Sequence, residues 1–268
     1  MPQLKDIASY RDAAWLIKRQ ALSVLPSVAS LKALRGFARE DRATKPLVGF
    51  GDPVFDPAER ARAFEERRRA KSRVAVNTRA YSEFWQGGRV DRNKLAQALP
   101  SLLDTADELK AVAAKLGAPA ADIHLNKDAS ETTVKRTALA DYRVVYFATH
   151  GLVAGDVKGL GEPSLALTLP AQPSESDDGL LTASEVTQLK LNADWVVLSA
   201  CNTAAGEKPG AEALSGLARA FFYAGARALL VTHWSVASES ATRLTTSTFG
   251  IMKSNPAIGR AEALRWPT

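Results

Sequence analysis

Cys201 is the only cysteine in this chain, and it closes an apolar run, Trp195-Val-Val-Leu-Ser-Ala-Cys201, that leads into Asn202-Thr203. His150 closes a similar run, Val144-Val-Tyr-Phe-Ala-Thr-His150, 51 positions earlier, and is followed by Gly151. A thiolate is a strong nucleophile, and a nearby imidazole keeps it deprotonated and exchanges protons with the leaving group. The two residues therefore have the chemistry of a cysteine-histidine dyad, provided the fold brings the two strand ends together. A free cysteine is otherwise a common core filler. A histidine at the end of so apolar a run is harder to explain by packing, because its ring nitrogens need polar partners. Zinc is the other rival. With three histidines and one cysteine, and no CxxC or HxxxH spacing, the chain offers no metal set.

The surrounding pattern predicts how the two runs are placed. From residue 104 onward strands and helices alternate. The reading gives helices over 104–116, 130–139, 182–189, 211–223 and 239–252. It gives strands over 121–125, 142–149, 164–169, 193–200 and 228–234, with an earlier strand at 46–53. Continuous apolar strands alternating with helices imply an α/β fold, a mostly parallel central sheet flanked by helices on both faces. Ligands of such sheets sit beyond the carboxyl ends of the strands, where Thr-His-Gly, Ala-Cys-Asn and His-Trp-Ser all fall. His233 reads as packing within its strand. Between them, residues 151–163 read as a glycine-rich loop and 170–178 as a polar one. Upstream, 14–25 reads as a strand or a short helix, with a strand pair or edge strand favoured, and 27–38 as a helix.

Composition narrows the class. Apolar residues make up 46% of 268, enough for one substantial core. One cysteine excludes a disulfide framework and fits a reducing, cytoplasmic setting. No apolar stretch is long enough to span a bilayer, so no membrane partner is expected. The net charge of +6 is concentrated: residues 59–73 hold seven basic and three acidic side chains. Residues 54–90, which carry that run, read as a charged insertion or mobile arm and as a site for self-cleavage. The competing expectation is a surface helix, since Glu65 and Glu66 precede Arg69 at helical spacing. No aromatic stacking set or base-reading motif accompanies the charge, which argues against nucleic acid.

Four ordered motifs, Phe-Ala-Thr-His-Gly (147–151), Gly-Leu-Leu-Thr-Ala-Ser-Glu-Val (179–186), Val-Val-Leu-Ser-Ala-Cys-Asn-Thr (196–203) and Gly-Leu-Ala-Arg-Ala-Phe-Phe-Tyr-Ala-Gly-Ala-Arg (216–227), resemble the CHAT domain, of the caspase, separase and gingipain type of cysteine peptidases. The resemblance covers about residues 14–263 apart from 54–90. It implies a single caspase-fold domain over 1–268, shortened at both ends relative to the family pattern. It also implies His150 as base or proton donor and Cys201 as nucleophile. CHAT domains often follow helical repeats, so a regulatory protein with such repeats is an expected partner, beside a protein or peptide substrate. No cofactor is expected.

On this reading the backbone N–H groups of Gly151 and Cys201 bind the oxyanion. Several relatives of the clan hold a basic substrate residue with an acid. Asp156, Glu162, Asp177, Asp178 and Glu212 flank the rim, and the sequence does not choose among them; Glu212 equally suits the dipole of its helix. Two other classes compete. An inactive interaction module on the same fold would have no need of both His150 and Cys201. A nucleotide-binding domain would need a GxGxxG or P-loop after a strand, and neither is present.

Overall fold

The computed structural model describes residues 13–24, 42–69, 95–96, 99–152, 160–174, 176–199, 211–232 and 238–266. Five strands form a sheet in the order β2-β1-β3-β7-β8: β1 (Lys45–Pro53), β2 (Ile123–Asn126), β3 (Tyr142–Ala148), β7 (Trp195–Leu198) and β8 (Leu229–Val231). Every pairing in it is parallel. Parallel neighbours need crossover connections, and the helices between the strands supply them.

Alternation along the strands assigns the two faces. Val48, Phe50, Val145, Phe147, Val196 and Leu198 point to one side. There they meet α3 (Glu131–Arg136), α4 (Ala183–Val186) and α5 (Ala211–Ala224) through Val134, Val186, Leu217 and Phe221. Leu47, Val144, Tyr146, Trp195 and Val197 point to the other side, against α2 (Asp104–Leu116) and α6 (Ser238–Ser254) through Leu109, Val112 and Phe249. Each of these fully buried aliphatic or aromatic side chains contributes roughly 1.5–3 kcal/mol. The expected α/β class, with helices on both faces, is what the structure has.

Local signals set the helix ends. Gly117 takes φ 71 and ends α2, a conformation that suits glycine. Ser130 caps α3 by accepting the Thr133 N–H at 3.1 Å. Thr182 and Glu185 form a reciprocal capping box at α4. Glycines also set the helix-to-sheet spacing. A Cβ at Gly51 would stand 2.6 Å from Leu109 Cδ1, and one at Gly49 2.9 Å from Leu109 Cδ2. The bare backbone of β1 thus lets α2 settle unusually close.

A second, antiparallel sheet of three short strands, β4 (His150–Leu152), β5 (Ser164–Ala166) and β6 (Leu180–Thr182), adjoins the first. Neither β4 nor β6 was expected. His150 was read as ending the β3 run, and 151–163 as loop. Instead the chain breaks at Thr149, whose hydroxyl donates to the Ala166 carbonyl, and His150 begins a new strand. An uninterrupted apolar run hides such a change of sheet.

Two further expectations are corrected. In the 14–25 stretch, Leu16–Lys18 form a single 3-10 turn rather than a strand, and Trp15, Leu16, Leu22 and Val24 are exposed. The charged arm is in part a regular helix, α1 (Pro57–Arg69). Arg67 reaches Asp104 at 3.1 Å and Asp107 at 2.7 Å, Ser101 donates to Glu59, and Arg69 pairs with Glu65 at 3.3 Å. Residues 70–94 and the expected helix at 27–38 lie outside the described residues. A further helix, α7 (Arg260–Arg265), follows α6.

Candidate active site

β3 and β7 are neighbours in parallel register, with Phe147 opposite Leu198. The Ser199 N–H extends the pairing by donating to the Phe147 carbonyl at 2.9 Å. The chain therefore leaves both strands at one level. His150 stands three residues beyond Phe147, and Cys201 three residues beyond Leu198. β8 lies on the far side of β7, with Val231 opposite Leu198. Cys201, Asp156 and His233 lie outside the described residues.

His150 is 1% exposed. Its Nε2 is 2.9 Å from the carbonyl oxygen of Pro100, and its ring lies 5.4 Å from that of Phe55. A carbonyl only accepts, so Nε2 carries the proton and Nδ1 is the basic nitrogen. A charged imidazolium would donate to Pro100 still more strongly. This orienting group was absent from the sequence reading, because a backbone carbonyl leaves no side-chain signature. Phe55 was missed for a related reason, since it comes from the segment read as an arm. Gly151 follows within β4, buried and opposite Leu165.

The acids considered for substrate recognition have local partners. Glu162 accepts from the Ser184 N–H at 2.7 Å and from its hydroxyl at 2.8 Å, at the start of α4. Asp177 accepts from the Thr132 N–H at 3.2 Å and from its hydroxyl. Asp178 accepts from the Leu180 N–H at 2.8 Å. Glu212 is the second residue of α5. Three of the five therefore brace the loops around β5 and β6.

A buried carboxylate behind the strand ends was also missed. Glu108 on α2 is 2% exposed. It accepts from the Tyr146 hydroxyl, and from the Ser199 hydroxyl at 3.3 Å. Burial pushes its pKa up, and the two hydroxyl donors pull it partly back. A signal was present: Glu108 sits among Thr105, Leu109 and Val112 on the apolar face of its helix.

The family model of the CHAT domain matches residues 6–266. The chain belongs to the CHAT domain family. The match spans nearly the whole chain and runs across the charged segment as well. No curated protein matched it. A CHAT domain is a caspase-like, peptidase-related domain, and the parallel five-stranded sheet agrees with that fold. No helix among the described residues is long and apolar enough to cross a membrane.

Proposed function

We propose that this CHAT domain is a cysteine endopeptidase acting on a protein substrate through Cys201 and His150. One observation supports the reading above the others: the matched register of β3 and β7, which sets Phe147, three residues before His150, opposite Leu198, three residues before Cys201. The orientation of the His150 ring by Pro100 adds to it.

In the proposed reaction the Cys201 thiolate attacks the scissile carbonyl, forming a C–S bond and an oxyanion. The N–H groups of Gly151 and Cys201 bind that oxyanion. Such a donor is typically worth ~3 kcal/mol of transition-state stabilisation. The C–N bond then breaks as imidazolium His150 protonates the leaving amine. Water attacks the thioester, His150 takes its proton, and the Cys201 thiolate leaves the new carboxylate. No cofactor enters. We place the protein in the cytoplasm and expect a regulatory partner with helical repeats to control it.

The experiment is a diverse peptide library incubated with wild type and with Cys201→Ala, with every cut mapped. Cuts made by wild type and lost in the variant are expected. If no cut depends on Cys201, the chain is a scaffold that keeps the fold without the reaction.

A further inference from the structure

Four carboxylates are buried among the described residues: Asp52, Glu108, Glu131 and Asp194. Three of them have a cation. Asp52 pairs with Arg60, Glu131 with Lys135, and Asp194 with Arg143, Arg227 and Arg260. Glu108 is held by hydroxyl groups instead. Burial without a cation is the costliest arrangement for a carboxylate. Its surroundings are part apolar and part polar: Leu109, Val112, Tyr146 and Val197 belong to the apolar layer on that face, while the Tyr146 hydroxyl also meets the buried hydroxyls of Thr245 and Ser199. A leucine there would take the acceptor away from two buried hydroxyls, so what the acid supplies is the link between them.

The two groups that Glu108 joins lead toward His150 and Cys201. Tyr146 is on β3, four residues before His150. Ser199 directly follows β7, two residues before Cys201. Tyr146 is fully buried and its pKa is raised well above the usual phenol value, by burial first and then by Glu108, so its hydroxyl stays a donor. Ser199 is also buried. One side chain from α2 thus spans the two strand ends from behind, on the face away from α3, α4 and α5.

We propose that Glu108 is a positioning residue, whose buried carboxyl ties Tyr146 on β3 to Ser199 beyond β7 and so fixes the spacing of the strand ends that precede His150 and Cys201. The inference rests on the peptidase reading above. Among the described residues Glu108 is hydrogen-bonded to Tyr146 and Ser199 and not to His150. It acts through the strand ends that lead to the proposed pair, where a misplacement of about 1 Å costs up to about a hundredfold.

The test measures iodoacetamide alkylation of Cys201 against pH, which requires no known substrate, together with thermal denaturation. The proteins are wild type, His150→Ala, Glu108→Gln, Glu108→Leu, Tyr146→Phe and Ser199→Ala. Wild type is expected to react faster at pH 6.5 than a model thiol, and His150→Ala to lose that advantage. Glu108→Leu is expected to melt below wild type, because two buried hydroxyls lose their acceptor, and to react about tenfold or more slower, with its pH midpoint moved toward that of an ordinary thiol. Glu108→Gln, whose amide can still bridge the two hydroxyls, should lose less than Glu108→Leu. Ser199→Ala combined with Glu108→Leu should add little, because both changes break one link. If either Glu108 variant fails to fold, Tyr146→Phe and Ser199→Ala, which each remove one donor, decide the matter. Folded Glu108→Leu, Tyr146→Phe and Ser199→Ala proteins that keep the wild-type rate and pH midpoint would overturn the role of Glu108 and leave the dyad intact. A wild type no faster than His150→Ala would overturn the dyad, and the role of Glu108 with it.

Discussion

The Nε2 of His150 lies 2.9 Å from the carbonyl oxygen of Pro100, fifty residues earlier in the chain. An imidazole so held has one tautomer, with the proton on Nε2 and the basic lone pair on Nδ1. The expected nitrogen NMR spectrum of protein labelled at histidine shows the neutral form of the His150 ring as the Nε2–H tautomer. A spectrum of the Nδ1–H form would mean that the ring is turned and that its basic nitrogen points elsewhere.

Asp52 and Arg60 should show a marked asymmetry between breaking and replacing their pair. The Asp52 side chain is 6% exposed, Arg60 donates to both of its oxygens, and the same guanidinium reaches Asn126. Arg60→Ala leaves a buried carboxylate without its cation, at a cost of about 3–5 kcal/mol. Asp52→Asn with Arg60→Met removes both charges and should recover most of that loss. Asparagine also tolerates the φ of 50 at this position. Urea unfolding of the two variants beside wild type measures the difference, and equal losses in both would refute the asymmetry.

Stability should fall as pH rises through neutrality, because of Glu131. This carboxyl is 1% exposed and accepts from the N–H groups of Asp178 and Gly179 and from Lys135. Burial pushes its pKa up to about 7; the Lys135 hydrogen bond opposes the shift and the neighbouring Glu185 adds to it. The folded state therefore holds this proton more tightly than the unfolded chain does. Its contribution is fully present below about 4.5, the ordinary glutamate value, and is lost as pH rises through about 7. For Glu185, burial pushes up, but hydrogen bonds from Lys135 and Thr182 outweigh it and hold the group below the ordinary value. Its effect therefore falls below the range that matters here. Between pH 5 and 7.5 the melting temperature of wild type should decline, and Glu131→Gln should flatten that decline. Identical slopes would show that Glu131 ionises normally.

Gly225 should tolerate no side chain. Its φ is 114, and a Cβ there would stand 2.4 Å from the Leu191 carbonyl oxygen. Gly225→Ala is expected to cost about 3 kcal/mol or more, through strain and clash together. Denaturant melts within 1 kcal/mol of wild type would show that the turn between α5 and β8 can relax.

Much of the central sheet was legible because its signals are local. The α2 helix runs over the residues expected, bounded by an acidic first turn and by Gly117. Ser130 caps α3 as expected, and β3, β7 and β8 fall within their apolar runs. What escaped depends on distant partners. The 14–25 stretch is apolar enough for a strand, but a strand needs a neighbour, and this one forms only a turn. The helix at 57–69 draws its support from Asp52, Asp104 and Asp107, which its own periodicity does not show. The site divides in the same way. His150 and Cys201 stood out by residue type, whereas Pro100 acts through its backbone and Glu108 through two hydroxyls on other strands.

The fit of Leu109 over Gly49 and Gly51 has a consequence for how this protein tolerates change. Methyl groups occupy the space that two side chains would have filled, much as a key occupies a keyway. The helix that carries Leu109 is hard to slide along β1 or roll about its axis, because either motion lifts the key from its slot. Glu108, one residue away, inherits that fixity. The outward side of the same helix, at Lys110, Ala114 and Lys115, is exposed and free to be rewritten. Substitutions there should accumulate without disturbing the depth at which the neighbouring carboxyl is set.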